Sequence, residues 1–490
     1  MDDLKLRSWA RDEFGHSDLG DERRNARLVA MAAEIARRPA GRVSEVFRNG
    51  AARQGAYDFL ESRHFNAATI VTTVSETAAR RASEYPFVFV PLDGTSINLA
   101  DHARAKDFGS VGSRERGARG LKAVSGLAVS PNGVPLGVAT MQWWARGPRA
   151  TRSKQARTID EKETKHWFDA VDAVTAALTR ASETRAWFQI DREGDSQRFL
   201  EKLAATGHLF TVRSASDRRL YVPGAVLRPT PYTPENRRRR YLRSYLGRRA
   251  PLTFDWLEVP ARGSQPARLA CVAIRAAPVV LWLRDKWRSD NRPLAMNAVW
   301  VREHGRGPML RSRSGKSRTR RLDWLLLTNH PVDTIEDVRK VVFGYTQRWR
   351  IEDFHRTWKR GGCHVEDTQL RSQEHVIKWA TILAAVAVRA ERLKHLARDR
   401  PTAPASEVLT PLELRALKLL KSRQKKRNEV IPDGVPDLAT ATRWIAELGG
   451  YTGRSSGGPP GTVTISRGLQ DLEVASELLA ALASGSGSDE

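Results

Sequence analysis

Cysteine is nearly absent from this sequence, which contains only Cys271 and Cys363 among 490 residues. No Cys/His cluster has the spacing of a zinc site, so we expect a reduced, intracellular protein without disulfides. The most apolar stretch, residues 379–388, is shorter than the ~20 residues that span a bilayer. The first residues also lack the apolar core of a signal peptide. We therefore expect neither a membrane protein nor a secreted one.

Acidic residues are also few relative to basic ones. The chain has 56 Asp and Glu against 82 Lys and Arg, for a formal net charge of +26. This excess predicts a polyanionic partner, with nucleic acid the first candidate, although charge alone does not separate DNA from RNA or anionic lipid. The length exceeds what one hydrophobic core organises, so several domains are expected.

Charged residues of complementary chemistry cluster near residue 350. In the helix expected over residues 345–359, Arg348, Glu352, Arg356 and Lys359 all lie within roughly 60° of Tyr345, at about 100° per residue. A carboxylate supplies hard oxygen ligands and arginine binds phosphate with two parallel donors, so this pattern indicates a metal ion beside phosphate. The alternative is a solvated charged face on an amphipathic helix.

Two aspartates end apolar runs that read as buried strands. Asp93 follows residues 87–92 and Asp191 follows residues 185–190. Acids at the carboxyl ends of strands lie where open α/β sheets bind ligands, and Glu352 could complete a site for two divalent ions. Each aspartate alone could equally be a turn or helix-cap residue.

Several segments together carry a resemblance to a known family. The chain resembles the DDE transposases of bacterial insertion sequences with the Y-R-E-K signature, and within them the Tn-five type. The resemblance covers nearly the whole length, and any one of its motifs alone would be weak. Besides the signature at Tyr345, Arg348, Glu352 and Lys359, it rests on the segments at residues 19–28, 54–59, 191–195, 324–328 and 445–450.

The order of predicted elements agrees with the fold that this family implies. A strand at 87–93, a hairpin at 122–130 and 134–144, a helix at 162–178 and a strand ending at Asp191 follow the order of a ribonuclease-H-like α/β core. The 161 positions from Asp191 to Glu352 (352 − 191) exceed a crossover connection and predict an insertion.

Three domains are expected on these grounds. They are an all-α DNA end-binding domain at 1–72, the catalytic domain at 73–372 with a β-rich insertion at about 218–321, and an α-helical dimerisation domain at 373–490 that ends in a disordered tail. In the first domain we expect Asp21 to cap a helix, and in the insertion we expect strands such as 269–274 and 279–282.

The resemblance implies a cut-and-paste transposase that binds transposon-end inverted repeats in double-stranded DNA and joins the 3′ ends to target DNA. Cleavage would proceed through a hairpin intermediate by two-metal phosphoryl transfer. Asp93, Asp191 and Glu352 would be catalytic and would bind two Mg²⁺ ions per active site, with Mn²⁺ able to substitute. A homodimer would hold two ends in the synaptic complex, in the bacterial cytoplasm and without a membrane partner.

Further residues take DNA-binding roles from the same resemblance. Tyr345, Arg348 and Lys359 would hold phosphates, together with Arg356, which stands where a lysine is common. Trp324 would accept a flipped base, although a strand tryptophan is more often a core residue. In the first domain, the residues expected to contact transposon-end DNA are Arg23, Arg24 and Arg27.

Three other functions stay open from the sequence. A metal-dependent nuclease would cleave DNA without joining it, and an inactive relative would bind transposon ends and regulate transposition. A basic nucleic-acid scaffold is the third, and the three acids with the intact signature disfavour the last two.

Overall fold

A computed structural model describes residues 3–101, 103–112, 117–147, 157–221, 241–259, 268–284, 291–305, 309–311, 317–319, 321–425, 429–453 and 459–485. Parts of the predicted insertion and the last five residues of the predicted tail lie outside these ranges. The chain divides into two compact units. The first draws on Met1–Ser153, Arg157–Thr184 and Trp349–Glu490, and the second on Arg185–Arg348.

The first unit begins with helices that start at side-chain caps. Asp21 accepts a hydrogen bond from the Arg23 amide, as predicted, while Asn49 and Asn66 cap the fourth and fifth helices. The predicted domain boundary at residue 72 lies inside the fifth helix. These helices are α1 (Asp3–Phe14), α2 (Glu22–Arg37), α3 (Val43–Val46), α4 (Gly50–Glu61) and α5 (Ala67–Ala82).

Antiparallel strands follow in the order β2-β3-β1, with β4 on β3. The predicted hairpin is confirmed by the pairing of β3 with β4. A Cβ at Gly137 would lie 2.8 Å from the Ala78 side chain, so glycine there lets α5 pack closely on β4. The elements are β1 (Phe87–Asn98), β2 (Gly109–Ser110), β3 (Arg119–Val129), β4 (Pro135–Trp144) and α6 (Lys165–Ala181).

The second unit contains a mixed sheet of strand order β5-β6-β12-β9-β8-β7. The β5 and β6 strands are parallel, and the other neighbours are antiparallel. Its elements are β5 (Arg185–Ile190), α7 (Gln197–Ala205), β6 (Leu209–Arg213), α8 (Leu242–Gly247), β7 (Thr253–Val259), β8 (Arg268–Arg284), β9 (Asn291–Glu303), β10 (Met309–Arg311), β11 (Ser317–Thr319), β12 (Asp323–Thr328) and α9 (Ile335–Thr346).

The expectation of separate strands at 269–274 and 279–282 was wrong, because β8 runs through Pro278 in unbroken register with β9. The backbone groups of Ile274, Val280 and Trp282 bond on the side away from β9. Pro278 is separated from these residues by an even number of positions, so its nitrogen also faces away from β9. Strand β7 pairs with β8 only as far as Ile274 on that side. No bond of the β8–β9 ladder is lost, and the strand continues.

The rest of the first unit is helical. The expected C-terminal helices are present, and the helix Pro411–Arg423, which was not predicted, starts with a Thr410–Glu413 capping box. The elements are α10 (Trp349–Arg356), a π-helical turn (Thr357–Gly361), α11 (Gln373–Asp399), α12 (Pro411–Arg423), α13 (Leu438–Leu448) and α14 (Thr462–Gly485). None of the described helices is both long and apolar enough to cross a membrane. The helical N-terminus, mixed-sheet core and helical C-terminus agree with a ribonuclease-H-like fold.

Candidate active site and DNA-binding residues

Asp93 lies within β1, at the point where the strand passes from buried to partly exposed residues. Its Oδ1 accepts a hydrogen bond from the Gly94 amide at 2.9 Å. Pro91 neither ends nor bulges the strand, since Phe89 and Leu92 pair with β3 in one register. The register places Ser125 of β3 directly opposite Asp93.

Glu352 lies on α10, a helix that packs against β1 and β3. Its buried residues are Ile351, Phe354 and His355, and His355 Nε2 lies 2.6 Å from the Ser125 hydroxyl. The helix with Glu352 and the strand with Asp93 are therefore in contact within one unit.

Lys359 belongs to the π-helical turn that follows α10. Burial lowers the pKa of its ammonium, while the negative charges of Glu366 and Asp93 oppose that shift. Its Nζ lies 3.9 Å from a Glu366 carboxylate oxygen. Arg356 is more exposed and pairs with Asp353 at 3.0 Å. Solvent screens the Arg356–Asp353 pair more than the Lys359–Glu366 pair, because the Arg356 side chain is 65% exposed and that of Lys359 is 22% exposed.

Asp191 directly follows β5 in the second unit. Its side chain accepts a hydrogen bond from the Glu193 amide at 2.8 Å and caps the short 3₁₀ turn Arg192–Gly194. Asp191 is therefore a turn-cap residue, which was one of the two interpretations of this aspartate. A carboxylate has about four acceptor positions, so a cap and a metal contact are chemically compatible.

Tyr345 and Trp324 form an aromatic pair in the second unit. Their rings meet edge to face with centroids 5.1 Å apart, and both side chains are buried. Burial raises the pKa of the Tyr345 phenol, and the nearby Arg348 and Arg213 oppose that rise. The negative charge of Asp191 adds to the rise, which places the phenol near that acid as well.

The single helix expected from Tyr345 to Lys359 is not observed, so the signature residues do not lie on one face of one helix. Helix α9 ends at Thr346, α10 begins at Trp349, and Lys359 lies in π-helical geometry. The break has a local cause, because the Thr346 hydroxyl and the Gln347 amide both donate to the Phe343 carbonyl, at 2.6 and 3.2 Å. The backbone N–H of Gln347 donates to the same carbonyl at 3.3 Å, so three donors meet at the end of this helix.

The three N-terminal arginines lie on α2. Arg23 and Arg27 are exposed, and Arg24 donates to the Leu19 carbonyl at 3.0 Å. The Arg27 guanidinium lies over Gly55 of α4. Two of the three are therefore accessible to a DNA phosphate, while Arg24 also fixes the chain before α2.

A second acidic group lies behind α10. Asp353, Glu391 and His395 offer ligand atoms within 4.8 Å of one another, the spacing of a possible metal site. Lys394 already fills it, with Nζ at 2.6 Å from Glu391, 3.2 Å from Asp353 and 2.7 Å from the Thr462 hydroxyl. Burial and neighbouring cations lower the pKa of His395. The ammonium supplies the positive charge that these groups require.

Two family models match the ends of the chain. Transposase DNA-binding covers residues 6–65, and Transposase Tn5 dimerisation domain covers residues 385–487. The N-terminal and C-terminal regions of the chain are those of a Tn5-like transposase. DNA is a partner of this transposase, and it forms a homodimer. Arg23, Arg24 and Arg27 lie inside the matched DNA-binding region.

Sequence reasoning missed three residues beside the expected site of the transposase. Ser125 and His355 bridge β3 and α10, and Arg213 hydrogen-bonds to the Tyr345 phenol. The position of Arg213 could have been noticed in the sequence, because this arginine ends the apolar strand β6, as Asp191 follows the apolar strand β5. Ser125 and His355 had none, since their contact depends on strand register and on the packing of α10.

Acid should destabilise this transposase through His355. Burial and the charge of Lys359 lower its pKa from 6.5 to about 3 in the folded protein. The unfolded chain therefore binds the proton first, and stability falls as the pH drops below 6.5. From pH 7 to pH 5 this group should cost about 2 kcal/mol of unfolding free energy. Urea unfolding of wild type and His355→Gln at both pH values measures it, and an equal pH dependence would contradict the assignment.

Proposed function

We propose that this transposase moves its element by cut-and-paste transposition, with Asp93, Asp191 and Glu352 as its catalytic residues. The observation that carries the proposal is the packing of the Glu352 helix on the strand of Asp93. Lys359 is also near enough to Asp93 for the aspartate charge to raise the pKa of the lysine. The DNA-binding and dimerisation domains support the substrate and the pairing of two ends.

Two Mg²⁺ ions per active site suit the donor set, because three carboxylates provide the hard oxygen ligands that Mg²⁺ prefers. Mn²⁺ accepts the same ligands and would substitute. When bound, the ions would lower the pKa of an attacking water or 3′-hydroxyl and stabilise charge on the phosphate and the leaving oxygen. The donor set requires no covalent protein intermediate.

The surrounding side chains would hold the DNA in line for the reaction. Arg348 and the Tyr345 phenol can hydrogen-bond to phosphate oxygens, and Lys359 and Arg356 supply positive charge. Trp324 would stack on a flipped base. Because Trp324 is 5% exposed and packs on Tyr345, its ring must become accessible first, and we expect its fluorescence to change when a hairpin end binds.

The proposed order of steps follows from one strand end attacking successive phosphates. A water nicks the transposon end, the freed 3′-hydroxyl attacks the opposite strand to form a hairpin, and a second water opens it. The same 3′-hydroxyl then attacks target DNA. The homodimer would align two inverted repeats so that both ends reach the target together, in the cytoplasm of the bacterial host.

End binding should depend on the exposed arginines of α2. We expect Arg23→Ala and Arg27→Ala each to weaken binding to an inverted-repeat duplex about 10-fold at low salt. Each should also reduce the slope of log affinity against log salt by about 1, because one phosphate contact is lost. Fluorescence anisotropy across a salt series measures both, with Arg180→Ala, which removes an exposed charge outside residues 6–65, as the control for net charge. Unchanged slopes would place the end-DNA contacts elsewhere.

The proposed function is tested with a supercoiled plasmid carrying the terminal inverted repeats of the element and a second plasmid as target. Wild type with Mg²⁺ should release a hairpin-ended fragment and give joined products, whereas EDTA or Asp191→Asn should abolish both and retain end binding. Cleavage without joining would assign a nuclease instead. Binding without cleavage under Mg²⁺ or Mn²⁺ would assign an end-binding regulator.

A further inference from the structure

A buried polar contact joins the strand of Asp93 to the helix of Glu352. The Ser125 hydroxyl and His355 Nε2 are 2.6 Å apart, and the two residues are 0% and 9% exposed. Ser125 is the register partner of Asp93 in the β1–β3 ladder. His355 lies three residues after Glu352, about one turn along α10.

At these positions the contact can fix the distance between Asp93 and Glu352. Residues directly opposite in an antiparallel pair share a face, with Cβ atoms about 5 Å apart. Residues three apart on a helix are also neighbours, with Cβ atoms about 5–6 Å apart. The neighbour of one carboxylate is therefore bonded to the neighbour of the other. If this contact lengthens, the helix can shift relative to the strand, and the distance between the acids changes with it.

We propose that Ser125 and His355 are positioning residues that set the spacing of Asp93 and Glu352, and so the affinity of the site for its divalent ion. This inference rests on the proposed function. A metal site tolerates errors of only about 0.5 Å in its ligands. A hydrogen bond fixes a distance within a few tenths of an ångström, which an apolar contact of the same volume does not.

The surroundings of His355 hold its ring in one orientation. Phe354 and Trp358 flank it with ring centroids at 5.5 and 6.5 Å. Trp358 is itself tied to the Ala380 carbonyl of α11 by a 2.9 Å hydrogen bond from its indole N–H. Burying an imidazole and a hydroxyl is costly unless they bond to each other. The chain therefore maintains a polar contact where an apolar pair would pack without that cost.

The test compares variants that break or keep the bond. Ser125→Ala and His355→Leu remove it, while His355→Gln places an amide nitrogen near the position of Nε2 and can restore it. Ser75→Ala is the matched control, because it removes another buried hydroxyl of the same unit, bonded to the Val71 carbonyl at 2.9 Å. For each variant we would measure Mn²⁺ affinity by electron paramagnetic resonance and end binding by anisotropy. The Mg²⁺ dependence of cleavage and the thermal melting temperature complete the comparison.

Breaking the bond should weaken Mn²⁺ binding and slow cleavage about 10- to 100-fold, the usual effect of losing a partner of a metal ligand. End binding should not change, the control should match wild type, and His355→Gln should recover most of the loss. Wild-type Mn²⁺ affinity in both Ser125→Ala and His355→Leu would overturn the inference. If His355→Leu does not fold, Ser125→Ala decides. Should Asp93→Asn also leave Mn²⁺ binding unchanged, the proposed function itself has failed.

Discussion

Replacing Glu352 with glutamine should lower the rate of end cleavage by about 10³-fold or more. The amide keeps the size of the side chain but loses the negative charge that binds a divalent ion, and groups that act together in one site lose most of the catalysis when one is removed. Affinity for an inverted-repeat duplex should stay within about 2-fold, because α2 lies in the matched DNA-binding region. Single-turnover cleavage of a labelled end measures the cleavage rate, and fluorescence anisotropy measures the affinity for the duplex.

The matched control is Asp367→Asn, which removes one negative charge from the same unit. Its carboxylate is 58% exposed and lies 3.8 Å from His364, a contact that solvent screens. We expect its cleavage rate to stay near that of wild type. Equal cleavage by Glu352→Gln and wild type would remove Glu352 from the active site, and equal loss in both variants would point to net charge.

Charging the outer face of α14 should dissociate the homodimer. Val474, Leu478 and Leu482 follow one another at four-residue intervals and are 52%, 62% and 71% exposed, inside the matched dimerisation domain. Side chains at this spacing form one stripe on a helix. The double change Leu478→Glu and Leu482→Glu should weaken dimerisation at least 100-fold, because two apolar contacts become buried charges.

Sedimentation velocity with increasing protein concentration measures the dissociation, and plasmid joining measures its consequence. Joining requires two paired ends and should fall with the dimer, whereas binding of a single end should persist. Leu419→Glu is the control, since this residue of α12 is also exposed, at 47%, in the same domain but off the stripe. A double variant that remains dimeric would place the interface on another face.

Local patterns predicted much of the fold because their physics is local. The apolar run before Asp93, the cap at Asp21 and the turn between β3 and β4 each depend on a few neighbouring residues. The uninterrupted β8 was missed because the effect of Pro278 depends on whether its nitrogen faces β9 or the opposite side of the strand. The helix Pro411–Arg423 was missed although its capping box was visible in the sequence.

The candidate site was predicted less completely. The residue types at Asp93, Glu352 and Lys359 indicated the chemistry, but an ideal helical repeat could not show that Thr346 and Gln347 would close α9 at the Phe343 carbonyl. Packing determines the rest. Ser125 and His355 are 230 positions apart, and only the folded chain brings their side chains together.

The ammonium of Lys394 acts as a cation that is covalently part of the protein. It lies among Asp353, Glu391 and Thr462, where a divalent ion would otherwise find two carboxylates and an imidazole. A divalent ion entering there would have to expel a buried charge of its own sign. In a metal titration of the intact chain, this cluster should therefore add no ion to the number bound per subunit.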